Sequence, residues 1–176
     1  LLPPTSGRTA SRNTRMPMPP IQWEKQRHML VQWLSASTLT TTLAPVVVKP
    51  ETISYLTSDT IESAVVTNFE TNRTGAVYDM EKAAGKNPYE MFLSGSVSLL
   101  TIENPNAKTD RELVIFRDSF GSSTAPLLAQ GYAKVTVVDI RYMAPALAGR
   151  FVDLSQADDV LFLYSTGVLN HSETIQ

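Results

Sequence analysis

The chain has 176 residues, 43% of them hydrophobic and 18% charged, which is enough for one domain with its own core. Its formal net charge of −2 argues against nucleic acid or an anionic membrane as the main partner, because phosphate binding depends on clustered Lys and Arg. It has no cysteine, which excludes disulfides, thiolate metal sites and cysteine nucleophiles.

Residues 1–45 are the least defined part of the sequence. Residues 1–20 contain five prolines and many small polar residues, a composition that predicts a disordered segment. The only basic cluster lies there, and we interpret it as a disordered arm rather than a nucleic-acid site: Arg8, Arg12 and Arg15. The sequence contains neither a signal peptide nor the run of about 18 apolar residues that a membrane span requires.

A run without Pro or Gly at 21–35 predicts a helix. Its apolar residues near helical spacing are Ile21, Met29 and Trp33. We interpret His28 in this run as a surface or packing histidine. The Thr- and Val-rich residues that follow favour an extended chain up to Pro50.

Residues 46–176 are predicted to form the folded domain. Residues 61–66 are expected to be an extended segment at a sheet edge. Asp79 is expected to cap a short helix over 79–84, because its carboxylate can accept a hydrogen bond from the first turn. Residues 98–103 predict a strand that ends at a turn.

The last third of the chain alternates strands and helices. Three apolar runs predict strands, at 112–116, 135–139 and 159–164. A helix over 124–130, capped by Ser122 or Ser123, is expected to connect the first two. This order implies parallel pairing with right-handed crossovers. The predicted fold class is therefore α/β, a three-layer sandwich with a mostly parallel sheet.

Polar residues follow each of these predicted strands. The carboxyl ends of parallel strands meet at one edge of a sheet, and ligands of such sheets bind beyond that edge. We therefore expect one polar rim to be formed by Asp118, Ser119, Asp139, Arg141, Tyr142, Ser165 and Thr166. Two distant histidines and scattered carboxylates predict no metal site, and no cofactor is expected.

Ser119 lies on a tight strand-to-helix turn. Such a turn presents the serine hydroxyl away from the sheet, and the following helix offers free backbone N–H groups that can stabilise an oxyanion. The alternative is that Asp118 and Ser119 only close the turn and cap the helix. Asp118 then fixes the turn through backbone N–H groups instead of taking a direct catalytic role.

Several blocks of the sequence resemble DHHW-family proteins, which are similar to SGNH hydrolases and to the bacterial proteins that O-acetylate alginate. The main block reads LVIFRDSFGSSTAPLLAQGYAKVTVVDIRY and contains Asp118-Ser119-Phe120 and, after the next strand, Asp139-Ile140-Arg141-Tyr142. Three further blocks match in order, at 77–80, 88–95 and 158–164. The resemblance covers about residues 50–170.

The resemblance implies an SGNH-hydrolase-like fold that is incomplete on its N-terminal side in this chain. It implies acyl transfer or ester hydrolysis on a cell-surface carbohydrate outside the cytoplasm, with Ser119 as nucleophile and its own N–H in the oxyanion hole. The partners would be a polysaccharide or an acyl donor. The candidate substrate-binding residues on the rim are Arg141, Tyr142 and Asn170. The alternative for Arg141 is a salt bridge to Asp139 or Asp118.

The sequence departs from the family pattern at the catalytic base. In the family an Asp-x-His or Asp-His-His-Trp motif lies upstream of the serine, but here position 26 is Gln and position 169 is Leu, so no Asp stands two residues before either histidine. Arg117 also replaces the glycine of the usual Gly-Asp-Ser. Either a truncated or frame-shifted gene, or a diverged non-catalytic member, would produce this pattern.

His171 is the remaining candidate base, and its alternative is a surface histidine. Two functions therefore stay open. The first is an acyl-ester hydrolase or O-acyltransferase, and the second is a non-catalytic extracytoplasmic binding or scaffold module. A third interpretation is that the chain does not fold stably, because an exposed edge of a parallel sheet invites association.

Overall fold

The computed structural model describes residues 25–31 and 51–171. Its strands are β1 (Lys25–Val31), β2 (Glu51–Thr57), β3 (Val65–Asn68), β4 (Arg73–Ala76), β5 (Leu99–Glu103), β6 (Glu112–Arg117), β7 (Lys134–Asp139) and β8 (Asp159–Leu163). Its α-helices are α1 (Asp59–Ser63), α2 (Met80–Ala83), α3 (Gly121–Leu128), α4 (Pro145–Ala148) and α5 (Thr166–Asn170). Two short 3-10 helices cover Pro88–Met91 and Ala129–Gly131.

The strands form two sheets. β1 and β2 pair antiparallel, with Met29 opposite Ile53. The main sheet has six strands in the order β4-β3-β5-β7-β6-β8. β6 pairs in parallel with both β7 and β8, while β4, β3, β5 and β7 pair antiparallel in turn. Four of the six strands, namely β3, β6, β7 and β8, consequently run in the same direction, and the predicted α/β fold with a mixed, mostly parallel sheet is confirmed.

Each face of the main sheet carries a core, which gives three layers, although Val160 and Phe162 of β8 stay exposed. On one face the buried side chains of β6 and β7, such as Ile115 and Val137, pack with Ile61 of α1 and Ala125 of α3. On the other face the core includes Ala148 of α4. Burying a Val or Ile side chain contributes about 1.5–3 kcal/mol. This core, rather than the short helices themselves, holds the ends of the strands in place.

The helix predicted over 21–35 is wrong for Lys25–Val31, which is strand β1. All seven residues pair with β2, and strand pairing overrides a weak helical preference in a short apolar run. The segment predicted to be extended over 61–66 is so only from Val65, where β3 begins, and β3 lies between β4 and β5 instead of at the sheet edge. Its first residues belong to α1, where the Ser58 hydroxyl accepts from the Ile61 N–H at 3.2 Å. The predicted helix over 124–130 begins earlier, at Gly121, and neither Ser122 nor Ser123 caps it.

Other local predictions are confirmed or lie outside the described residues. Asp79 caps α2 by accepting from two backbone N–H groups, and β5 forms where a strand was predicted. The predictions for residues 1–20 lie outside the described residues, and the boundary near residue 45 stays a prediction. Within the described ranges, no helix has the length and apolar character needed to cross a bilayer.

Candidate functional site

The carboxyl ends of β6, β7 and β8 meet at one rim, as predicted. The last residue of β6, Arg117, lies opposite Asp139 of β7 on one side and Leu163 of β8 on the other. The turn that carries Asp118 and Ser119 therefore begins at the end of a strand with a parallel neighbour on each side. This placement gives the turn a rigid base.

The turn around Ser119 is closed by one backbone hydrogen bond and held by one from a tyrosine hydroxyl. The Gly121 N–H donates to the Asp118 carbonyl at 3.1 Å, and the Tyr89 hydroxyl donates to the Ser119 carbonyl at 3.0 Å. Ser119 itself is half-buried. Across the described ranges, neither its hydroxyl nor its backbone N–H has a hydrogen-bond partner. Both groups are therefore available to a ligand.

Asp118 is buried and fixes the turn with both carboxylate oxygens. Its Oδ1 accepts from the Phe120 N–H at 3.0 Å, and its Oδ2 accepts from the Ser165 N–H at 2.7 Å. Burial alone would raise the pKa of Asp118, but the hydrogen bonds from Ser165 and Phe120, together with the charge of Arg141, lower the pKa below its ordinary value of 3.8. The turn-fixing interpretation of Asp118 is confirmed, while a direct catalytic role stays a prediction.

Replacing Asp118 with Asn should lower the free energy of unfolding at pH 7 by about 1–3 kcal/mol, because an amide NH₂ then faces a backbone N–H. The folded pKa of Asp118 is depressed, so its contribution is present above about pH 4 and is lost as the pH falls through the lower folded value. Urea denaturation of both proteins between pH 7 and pH 2.5 should show the difference shrinking in acid. A difference that does not change with pH would contradict this account.

Arg117, Asp139 and Arg141 form an ionic cluster beneath the turn, in which Arg117 and Asp139 are buried. Asp139 is fully buried, and its Oδ2 lies 2.9 Å from Arg117 Nη1 and 2.7 Å from Arg141 Nη2. The Arg141 Nε also donates to Asp139 Oδ1 at 2.9 Å, which confirms the salt-bridge interpretation of Arg141. This hydrogen bond raises the pKa of Arg141. The Arg141 side chain is still one-third exposed, so substrate binding by it stays a prediction.

Tyr142 lies beside this cluster, with the Arg141 guanidinium 5.2 Å from the centre of its ring. Tyr142 is 58% exposed, and Phe120, the residue after Ser119, is 64% exposed. The rim therefore presents aromatic surface as well as charge to the solvent.

α5 places the last two predicted site residues. Its N-cap is Ser165, the residue that Asp118 holds, and the helix ends at Asn170. Five residues of helix span about 7 Å, so Asn170 and His171 lie about one and a half helical turns from the hydrogen bond between the Ser165 N–H and Asp118. Both are exposed, and His171 Nδ1 lies 2.9 Å from the Gly167 carbonyl oxygen. A role for His171 as base, and for Asn170 in substrate binding, stays a prediction.

A cavity of about 420 Å³ lies elsewhere on the sheet. It is lined by the first residues of β6 and β7, Glu112 and Lys134, and by the exposed Phe151. Its lining also includes Leu99, Val114 and Thr136 farther along the strands, but none of the rim residues. This cavity therefore does not belong to the candidate site.

Sequence reasoning missed three residues that build the site. Tyr89 lies thirty residues before the serine whose carbonyl it holds, and no local signal points to it. Gly121 and Ser122 pack against the buried side chain of Arg117. The ion pair of Arg117 with Asp139 did have a signal in the sequence, because residues of opposite charge end two apolar strands. Only the strand register, however, shows that these two residues lie opposite each other.

No protein-family model and no curated protein matches the chain. Among solved structures, it is similar to a DHHW family protein from Eubacterium siraeum DSM 15702, with 28% identity and a TM-score of 0.52 over 68% of this chain and 40% of that chain. It is also similar to Bacillus cereus PatB1, with 20% identity and a TM-score of 0.62 over 82% of this chain and 50% of that chain. A structure of Bacillus cereus PatB1 with a sulfonyl adduct is also similar, with 19% identity and a TM-score of 0.60 over 82% of this chain and 47% of that chain.

These likenesses bear out the SGNH-hydrolase-like fold. The chain spans 40–50% of the length of the solved chains that it matches.

Proposed function

We propose that this chain carries the nucleophile part of a DHHW-family, SGNH-like acyl-ester hydrolase or O-acyltransferase that acts on cell-surface carbohydrate outside the cytoplasm. The observation that carries the proposal is the placement of Ser119. It follows a central parallel strand at the rim where ligands of such sheets bind, and its hydroxyl and N–H are both without a partner across the described ranges. The likeness to a DHHW family protein supports the same assignment.

In this proposal the Ser119 Oγ attacks the carbonyl carbon of an ester. The Ser119 N–H holds the oxyanion, since the Phe120 and Gly121 N–H groups already donate to Asp118. The serine proton passes through a base to the departing alcohol as the ester C–O bond breaks, which leaves an acyl-serine. Water or a sugar hydroxyl then takes the acyl group. The base is His171 or comes from outside this chain.

The carbohydrate part of the proposal is supported by the surface of the rim. Phe120 and Tyr142 offer exposed aromatic faces, and Arg141 adds a partly exposed cation. Ligand sites combine apolar and aromatic surface with a few polar groups in this way. A location outside the cytoplasm is proposed from the family resemblance alone.

A fluorophosphonate probe tests the assignment, because it reacts with an activated serine and not with an ordinary one. We expect mass spectrometry to find the adduct on Ser119 and Ser119→Ala to abolish it. Ser155→Ala is the matched control, since Ser155 is exposed and bonds Asp153 far from the rim. If His171 is the base, His171→Ala should slow labelling by about 10²–10⁴-fold. An unlabelled wild-type chain would refute activity of this chain by itself. An unlabelled Ser119 in a longer protein that supplies an upstream Asp-x-His would refute the enzymatic proposal.

The second candidate is a non-catalytic binding or scaffold module with the same fold. Two observations favour it: the chain lacks an Asp-x-His motif, and Arg117 replaces the usual glycine before Asp118. The same labelling experiment separates the two candidates, because a scaffold needs no activated serine.

A further inference from the structure

Arg117 is a fully enclosed charged side chain of the rim, as is its ion-pair partner Asp139. Arg117 ends β6 and is 0% exposed. The first residue of α3 lies directly against it, so that a Cβ built on Gly121 would stand 2.4 Å from the Arg117 Cβ. The guanidinium therefore lies beneath the first turn of α3, on the side of the nucleophile turn that faces the core.

All polar contacts of the Arg117 guanidinium use one nitrogen. Nη1 donates hydrogen bonds to Ser122 Oγ at 2.9 Å and to the Asp118 carbonyl at 3.2 Å, and it forms an ion pair with Asp139 Oδ2 at 2.9 Å. Nε and Nη2 are buried, and neither has a hydrogen-bond partner within the described part of the chain. Burying donors without partners is unfavourable. The contacts of Nη1 must therefore be what holds the side chain in this position.

Nη1 joins three elements that define the position of Ser119. The Asp118 carbonyl is the acceptor that also closes the turn with the Gly121 N–H, Ser122 belongs to the first turn of α3, and Asp139 ends β7. Hydrogen bonds from a charged donor in a buried environment are stronger than neutral ones. Rotation of the Asp118 carbonyl would move the adjoining Ser119 N–H and hydroxyl.

We infer that Arg117 is a positioning residue of the nucleophile turn, an inference that rests on the proposed function for its effect on Ser119. An arginine before Asp118 is then compatible with an active serine. Where the usual motif has a flexible glycine, Arg117 fixes the turn through its contacts on the core side.

The single-nitrogen geometry makes a specific prediction. A lysine carries three N–H donors on one nitrogen, so one amino group can serve the three acceptors around Nη1 although its side chain is one atom shorter. It leaves no counterpart of the unpartnered Nε and Nη2. Arg117 is not bidentate here, so the usual objection to Arg→Lys does not apply. Arg117→Lys should therefore retain the position of the turn, whereas Arg117→Met should lose it.

The test compares Arg117→Lys and Arg117→Met with a control, Arg111→Met. Arg111 lies just before β6 and pairs with Asp159. We expect Arg117→Met to slow fluorophosphonate labelling of Ser119 roughly 10- to 100-fold, as misplacement of a reacting group by about 1 Å does. Arg117→Lys and Arg111→Met should stay within about threefold of the wild-type rate. Labelling of Arg117→Lys that is more than tenfold slower would overturn the inference, even if Arg117→Met does not fold.

A second readout does not depend on catalysis. Hydrogen exchange of the Gly121 amide, which bonds the Asp118 carbonyl, should be at least tenfold faster in Arg117→Met than in Arg117→Lys or Arg111→Met. Equal exchange in folded Arg117→Met and wild type would overturn the positioning role. If Ser119 is labelled neither in this chain nor in a longer protein that supplies an upstream Asp-x-His, but the exchange result holds, then the proposed function fails and the structural role of Arg117 stands.

Discussion

Replacing Asp139 with Ala is expected to lower the free energy of unfolding by about 3–5 kcal/mol, because removal of one partner from a buried ionic group leaves the others uncompensated. Asp139 is fully buried and is the only carboxylate that bonds the Arg117 guanidinium within the described residues. The substitution would leave that cation enclosed at the end of β6. It would also release Arg141, whose Nε and Nη2 both donate to Asp139.

Urea denaturation at pH 7 measures this effect, and Asp159→Ala is the matched control. Asp159 also pairs with an arginine, Arg111, and accepts from the Tyr132 hydroxyl at 2.8 Å, but its side chain is 29% exposed. We expect its loss to cost no more than about 1–2 kcal/mol, since solvent can replace the partners. Equal losses of unfolding free energy for the two variants would contradict the argument that burial makes the ion pairs of Asp139 more important than those of Asp159.

Replacing Gly121 with Ala is expected to destabilise the protein by about 1–3 kcal/mol, the usual cost of overpacking an enclosed site. The added Cβ would stand 2.4 Å from the Cβ and 2.8 Å from the Cγ of Arg117, atoms near the backbone that cannot swing aside. Alanine is favoured over glycine in a helix by up to about 1 kcal/mol, so the clash outweighs the propensity. The displaced turn should also slow labelling of Ser119.

Gly149→Ala is the matched control for this prediction. Gly149 follows α4 with helical backbone angles, and a Cβ there meets nothing within 4 Å. We expect no loss of stability, or a gain of up to about 1 kcal/mol from the reduced freedom of the unfolded chain. Thermal denaturation of both variants checks the pair, and similar midpoints would contradict the steric argument.

The parallel half of the sheet was predictable because its strands are buried on both faces. Strands of that kind appear in a sequence as continuous apolar runs, and β6 and β7 have that pattern. Once the order of strands and helices is known, the rim with Asp118 and Ser119 follows from topology. The antiparallel half was less predictable, because β3 and β4 are only four residues long.

The failures have a shared physical cause. β1 has the composition of a short amphipathic helix, and only its pairing with β2, more than twenty residues later, makes it a strand. Arg117 looked like a departure from a motif, because sequence order does not reveal that it lies opposite Asp139. Each of these features depends on which residues become neighbours, and that depends on the assembled sheet.

The Asp118 clamp has a consequence for the order in which the protein is made. It joins residues 47 positions apart, since the Ser165 N–H donates to a carboxylate that follows β6. A chain emerging from the ribosome contains Ser119 well before Ser165. Until β8 is synthesised, one edge of β6 is open to pairing with other chains. The nucleophile turn is therefore completed only after Ser165 has been synthesised, and in the interval before it the open edge of β6 exposes the nascent chain to aggregation.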